Sequence, residues 1–163
     1  MKSKWDCFVF TAYTLEGAKY SEDPNPTKFG CEQKEYDRDR TRQGMPVQSI
    51  KLIKDTEAYM IFDRNYWSPL RCNELSWPLN MVLFAFGLNL TTVAIVCLQV
   101  AVGAVITEKM DDFTMKAVKE YDPVFLAQKL LDDQRQHYKD HDKSIIKGLL
   151  ARCEKTASFT GLT

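Results

Sequence analysis

Between Glu74 and Glu108 the chain carries no charged residue, although 27% of the whole sequence is charged. A run of that length rises about 1.5 Å per residue as a helix, and about 20 apolar residues cross a hydrocarbon layer of about 30 Å. Residues 75–107 therefore predict a single transmembrane helix. Ser76 is the expected N-cap and Pro78 lies in the first turn, where a missing N–H costs little. The span is assigned to residues 76–107, with the helix continuing in water to about 121, and Asp122–Pro123 then stops one helix and starts the next. Tyr66, Trp67 and Trp77 supply an aromatic belt on one side.

Charge and cysteine narrow the class further. Residues 1–76 hold twelve basic and twelve acidic groups, and residues 108–163 hold ten of each, so neither flank has the basic excess of a nucleic-acid binder. Arg64 and Arg71 before the run balance Lys109, Lys116 and Lys119 after it, which leaves topology undecided. Cys7, Cys31, Cys72, Cys97 and Cys153 are odd in number and lack metal spacing, so they read as free thiols.

The flanks predict little independent core. Residues 1–46, rich in Pro, Gly and alternating charge, read as an extended strap. Residues 47–75 read as a short amphipathic segment at the membrane surface, on the spacing of Tyr59, Phe62 and Tyr66. Residues 123–154 predict an amphipathic helix and 155–163 an irregular tail. On that helix Val124, Leu131, Tyr138, Ile145 and Leu149 form an apolar stripe whose companion column, Ala127, Gln134, His141 and Gly148, is weak. Half a seam suits docking on a partner subunit better than a self-sufficient coiled coil. The fold class expected is mainly α: one transmembrane helix between an extended flank and an amphipathic helix, with no globular core of its own.

Chemistry is sparse on this reading. His137 and His141 stand one helical turn apart among Asp133, Asp140 and Asp142, which is half of a zinc site with no second half in the chain. No phosphate loop, dinucleotide fingerprint or nucleophile triad can be assembled, so no catalytic residue, cofactor or metal is assigned. The informative polar residues lie in the run itself. Asn89, Thr92, Val96, Gln99 and Gly103 repeat at three and four along one face, where amides bond to protein and glycine permits close approach. That face predicts packing against another helix. The function expected is a non-catalytic accessory subunit of a mitochondrial inner-membrane respiratory complex, NADH dehydrogenase first and cytochrome oxidase or ATP synthase after it. Its partners would be other membrane subunits and the bilayer, without nucleic acid or a small-molecule substrate. The alternative is a single-pass adaptor or assembly factor of an organelle or endoplasmic reticulum membrane.

Overall fold

The computed structural model describes residues 2–22, 24–140 and 143–163, with backbone alone at 143 and 144. The chain is mainly α-helical, and it forms two compact units, Lys2–Asn65 and Tyr66–Thr163.

In the N-terminal unit, α1 (Lys4–Val9) starts at a capping box, with Asp6 N donating to Ser3 Oγ at 3.1 Å and Ser3 N donating to Asp6 Oδ2 at 2.8 Å. It passes directly into a π-helical turn, Phe10–Leu15, closed by Glu16 N donating to Thr11 O at 3.0 Å. A two-stranded hairpin comes next, β1 (Thr27–Lys28) and β2 (Cys31–Glu32), then α2 (Gln33–Arg42) and α3 (Asp55–Phe62). Phe8 is the apolar centre: its ring lies 5.2, 5.4 and 5.5 Å from those of Trp5, Tyr59 and Phe62.

The strap expected over residues 1–46 is thus replaced by folded structure, and the reason is legible in the charged run itself. Tyr36, Asp39 and Arg40 fall at i, i+3 and i+4, on one face of α2. Tyr36 is fully buried, with its hydroxyl donating to Glu57 Oε1 at 3.0 Å, and Arg40 Nη1 reaches the same oxygen at 3.0 Å. Asp39, 4% exposed, accepts two bonds from Arg64 at 3.0 and 2.6 Å. The alternating signs include a paired inner face, while Lys34, Arg38 and Arg42 remain exposed. Residues 55–62 likewise turn Ala58, Ile61 and Phe62 inward, so α3, within the segment 47–75 read as amphipathic, packs its apolar side on its own unit.

The C-terminal unit is built on α4 (Leu79–Ala101), succeeded by α5 (Asp112–Val118), α6 (Pro123–Lys139) and α7 (Lys143–Thr160). The first half of α4 is buried on every side, from Met81 through Gly87. Phe84 meets Trp67 edge-on at 5.2 Å, and Phe86 meets Tyr138 of α6 at 6.5 Å. At Leu90 (φ −145°, ψ 63°) the helix breaks; beyond it Ala94, Ile95, Leu98 and Gln99 are buried while Thr91, Thr92 and Val100 are exposed. A helix apolar all round belongs either in lipid or in a protein core, and sequence periodicity cannot separate the two. Among the described residues α4 is the one helix long and apolar enough to cross a membrane, yet 56% of its most apolar window is buried within the fold. The uncharged run therefore serves as a core helix, and the expectation of a chain without a globular core is corrected.

The helix also stops earlier than expected. Ala104 N donates to Gln99 O at 2.9 Å, Gly103 adopts φ +65°, and the chain leaves α4 well before residue 121. Ser76 makes no cap; Pro78 stands at the N-cap position. Asp122 Oδ1 accepts from Phe125 N at 2.8 Å and Pro123 opens α6. Two helices, α6 and α7, stand where one was expected over 123–154, and α7 runs on through residues assigned to the tail. They lie antiparallel: Arg135 Nε reaches Glu154 at 3.0 Å, and Gln128 Nε2 and Arg135 Nη1 donate to Thr163 O at 2.7 and 2.8 Å.

Gln99 ties the end of α4 to the loop that leads into α5. Fully buried, its Nε2 shares two hydrogens among Thr107 Oγ1, Lys109 O and Thr114 Oγ1, at 2.9, 3.0 and 2.8 Å. Its Oε1 accepts from Thr107 N and Glu108 N at 3.1 and 3.2 Å. Replacing Gln99 with leucine strands these groups, so urea unfolding is expected to show a loss of about 2–4 kcal/mol. Asn89→Leu removes one bond of 3.1 Å to Tyr138 Oη from an exposed position, and its expected cost is below about 1 kcal/mol.

Candidate functional site in the N-terminal unit

The hairpin pairs Thr27 with Glu32 and Lys28 with Cys31, and Ser21 extends it by a bridge to Thr27, bonded both ways at 2.9 and 2.8 Å. Its two turn residues, Phe29 and Gly30, both lie at positive φ, 56° and 81°. That is the backbone hand of the tight turns which match strand twist. Phe29 is anchored against the Tyr13 ring at 5.6 Å, which holds a non-glycine residue in an unfavourable conformation.

Gly30 has a second reason to be glycine. A Cβ built on it comes within 2.5 Å of Glu16 Cγ and 2.9 Å of Glu16 Cβ. Glu16 comes immediately after the π-helical turn and leans across the hairpin in the space that the missing side chain leaves. π-Helical turns occur often at functional positions, because the inserted residue re-aims the side chains beyond it.

Beneath the turn, Cys31 is fully buried, and burial pushes its thiol well above the usual range, with the carboxylates of Glu35, Asp39 and Glu16 adding to the effect. Glu35 accepts from Asn65 Nδ2 at 2.7 Å, and Asp39 is held by Arg64 and by Gln43 Nε2 at 2.6 Å. Glu16 is exposed to solvent. Beside the hairpin a cleft of about 520 Å³ is lined by Asn25, Pro26, Glu32, Gln33, Lys34 and Asp37. Glu16 is not among the residues that line this cleft; Glu32, at the end of β2, is its hairpin member.

A smaller cleft in the C-terminal unit, about 220 Å³, is bordered by Glu74, Ser76, Lys119 and Tyr121. Its carboxylate is committed: Arg71 donates to Glu74 at 2.7 and 2.6 Å and to Asp112 at 2.6 Å, which holds the Glu74 carboxyl below its ordinary range.

The residues singled out in the sequence lie elsewhere. Of the α4 set, Gln99 is buried, Asn89 bonds to Tyr138, Val96 is half-buried, and Thr92 and Gly103 are exposed; the break at Leu90 interrupts the helical register that placed them on one face. Of the α6 and α7 stripe, Leu131 and Tyr138 are buried inside the unit, Leu149 is half-buried, and Val124 and Ile145 are 51% and 56% exposed. His137 is half-buried on α6, His141 and Asp142 lie outside the described residues, and no group of metal-ligating side chains assembles among the described residues. Glu16 received no attention in the sequence because its neighbourhood read as strap. Its signal was a Glu-Gly pair ahead of a stretch dense in Pro, Asn and Gly, the composition of a loop that positions a side chain.

The family model for glycosyl hydrolase 108 matches residues 13–90, just under half of the chain. Among solved structures, that of SagA from Brucella abortus is similar in fold, with a TM-score of 0.78 at 19% identity, covering 97% of this chain and 95% of that one. No curated protein matches. These findings overturn the respiratory reading. A glycosyl hydrolase match over the unit that holds Glu16 contradicts a non-catalytic accessory subunit of the mitochondrial inner membrane, and with it the exclusion of catalysis and of a small-molecule substrate. The membrane-complex partners and the single-pass mitochondrial location fall with it, since α4 is largely buried within the fold.

Gly30→Ala adds both a strained φ and a collision with Glu16, and is expected to lower stability by about 2–4 kcal/mol in urea titration. Burial also raises the Cys7 thiol to about 12 and the Cys153 thiol to about 11, from an ordinary 9.0. The folded chain keeps protons that the unfolded chain releases, so this stabilisation is whole below about pH 9 and is lost as pH rises toward 11–12. Denaturation midpoints measured from pH 7 to pH 11 are expected to fall above pH 9, and an unchanged midpoint would contradict the burial of these thiols.

Proposed function

We propose that this chain hydrolyses glycosidic bonds, with Glu16 as the proton donor and the glycan of bacterial peptidoglycan as the substrate. The observation that carries the reading is a coincidence: the stretch matching glycosyl hydrolase 108 includes Glu16 and Gly30, the one glycine whose missing side chain makes room for a carboxylate-bearing residue. A glycosidic C–O bond breaks only if the departing oxygen is protonated as it leaves, and a positioned carboxylic acid does this. An enclosed pocket would suit a small sugar. An acid exposed at the surface suits a point along a polymer chain.

Three carboxylates act on Cys31, and Glu16 is the exposed one, whereas Asp39 is buried and Glu35 half-buried. Glu16 sits at a backbone junction, between a π-helical turn and the hairpin, which fixes its stem while leaving its head in solvent.

Purified protein incubated with peptidoglycan is expected to release reducing ends. Glu16→Gln is expected to lose at least about 100-fold of that rate, within the range that general acid catalysis contributes, at an unchanged urea midpoint. A wild-type chain inert toward peptidoglycan and other polysaccharides would overturn the reading; equal rates for the variant would move the acid to another residue.

A further inference from the structure

An acid cleaves a polymer efficiently only if the sugar beside the bond is held still, and a pyranose offers two kinds of surface for that purpose. Its hydroxyls lie around the rim, while C–H bonds cover the faces of the chair, which are apolar and slightly positive. An aromatic ring, negative on its face, complements them. Among the described residues of the N-terminal unit the exposed aromatic side chains are Trp5 and Tyr13, 40% and 48% exposed. The Trp5 ring already packs against those of Phe8 and Tyr59, at 5.2 and 5.1 Å. Tyr13 has a single ring partner among the described residues, Phe29, at 5.6 Å and 52°.

A lone exposed ring is ordinary on a protein surface, and its place is what sets Tyr13 apart. Tyr13 and Glu16 belong to one stretch of backbone, the π-helical turn and the residue that caps it. Both side chains then rest on one hairpin turn: the Tyr13 ring lies against Phe29, and the Glu16 stem lies over Gly30, the next residue. Ring and stem thus share both of their supports. Phe29 is 9% exposed, so it backs the Tyr13 ring from the protein side and leaves the rest of that ring to solvent. Directly after Glu16 the surroundings are open, since a Cβ built on Gly17 meets nothing within 4 Å. The Tyr13 hydroxyl bonds to no described residue, so the ring and not the hydroxyl fixes the side chain.

We propose that Tyr13 is a sugar-binding residue of this site: its uncovered ring surface stacks on a pyranose of the glycan next to the bond that Glu16 protonates. The inference rests on the assignment of Glu16 as acid. Because the π-helical turn and the hairpin hold both side chains, a sugar seated on the ring is carried at a set offset from the carboxyl. What the ring recognises is the C–H face of a sugar, which peptidoglycan presents whether or not its peptides are attached. Glycan strands freed of peptide are therefore sufficient ligands. The stacking contact is the same before and during bond cleavage, so it lowers KM and leaves kcat alone.

The experiment measures kcat, KM and the urea midpoint for the wild-type chain, Tyr13→Leu and Tyr13→Phe on peptide-free glycan strands of peptidoglycan. Leucine keeps an apolar contact on Phe29 without a flat ring, and phenylalanine keeps the ring. Tyr13→Leu is expected to raise KM about 10-fold, the worth of one aromatic contact, at unchanged kcat and urea midpoint, and Tyr13→Phe to match wild type. A second arm needs no change at position 13: in Glu16→Gln, the NMR signals of the Tyr13 ring are expected to shift as strands are added. An unchanged KM for Tyr13→Leu overturns the inference while leaving Glu16 as acid. A loss confined to kcat overturns it too, since it marks support of Glu16 through Phe29, and so does a Tyr13→Phe chain as impaired as Tyr13→Leu. Shifted Tyr13 signals in a chain whose wild type cleaves no polysaccharide uphold the binding role and sink the hydrolase reading alone; neither shift nor cleavage sinks both.

Discussion

A 23-residue apolar helix has two ways out of water, into lipid or into protein, and α4 takes the second within its own unit. Its first half is enclosed on all sides, with Phe84 against Trp67 and Phe86 against Tyr138. Fully burying side chains of this size contributes about 1.5–3 kcal/mol each, so the consecutive buried positions from Met81 to Gly87 dominate the C-terminal unit. Even the glycine is part of the packing, since a Cβ on Gly87 would come within 2.5 Å of Leu70 Cδ1. Everything C-terminal to α4 is organised by this helix: α6 and α7 cover it, and the Gln99 amide closes the chain that leads from it to α5.

The N-terminal unit depends on a different kind of constraint. Its apolar centre around Phe8 is small, and part-buried polar pairs, Arg40 with Glu57 and Asp39 with Arg64, complete it. Tyr36, Arg40 and Glu57 form one such group, and Asp39, Gln43 and Arg64 the other. Asp39 is the buried member, so its pairing with Arg64 fixes how α2 lies against the turn that comes after α3, and the Tyr36–Arg40–Glu57 group fixes how α2 lies on α3 itself. The hairpin and the start of α2 are held by that arrangement, and through the hairpin so is the place of Glu16 above Gly30. Scaffold and site are joined there: the turn that fixes the strand pairing also makes the space which the carboxylate stem occupies.

The helical class, and the dominance of the uncharged run, could be read directly from the residues. What lipid and protein interiors share is the absence of charge, so composition alone could not tell which of them covers α4. Gln99 held part of the answer. Its side-chain hydrogen bonds all go to residues 107–114 of its own chain, and no periodicity announces a partner that folds back from a loop. The charged run around Tyr36 and Asp39 misled for a related reason, since alternating signs describe both a solvated face and a paired buried one. At the site, Glu16 opens a segment whose prolines and glycines argued against regular structure. That argument was silent about a short hairpin whose Gly30 leaves room for the Glu16 stem.

Amide hydrogen exchange in buffer free of detergent and lipid tests most directly whether α4 is a core helix closed by its own chain. Amides of residues 81–87 and of Thr107 and Glu108 are expected to exchange only through global unfolding, with the same free energy as urea denaturation. Fast exchange of residues 81–87 in buffer, with protection appearing only when lipid is added, would contradict the account and return the helix to the membrane.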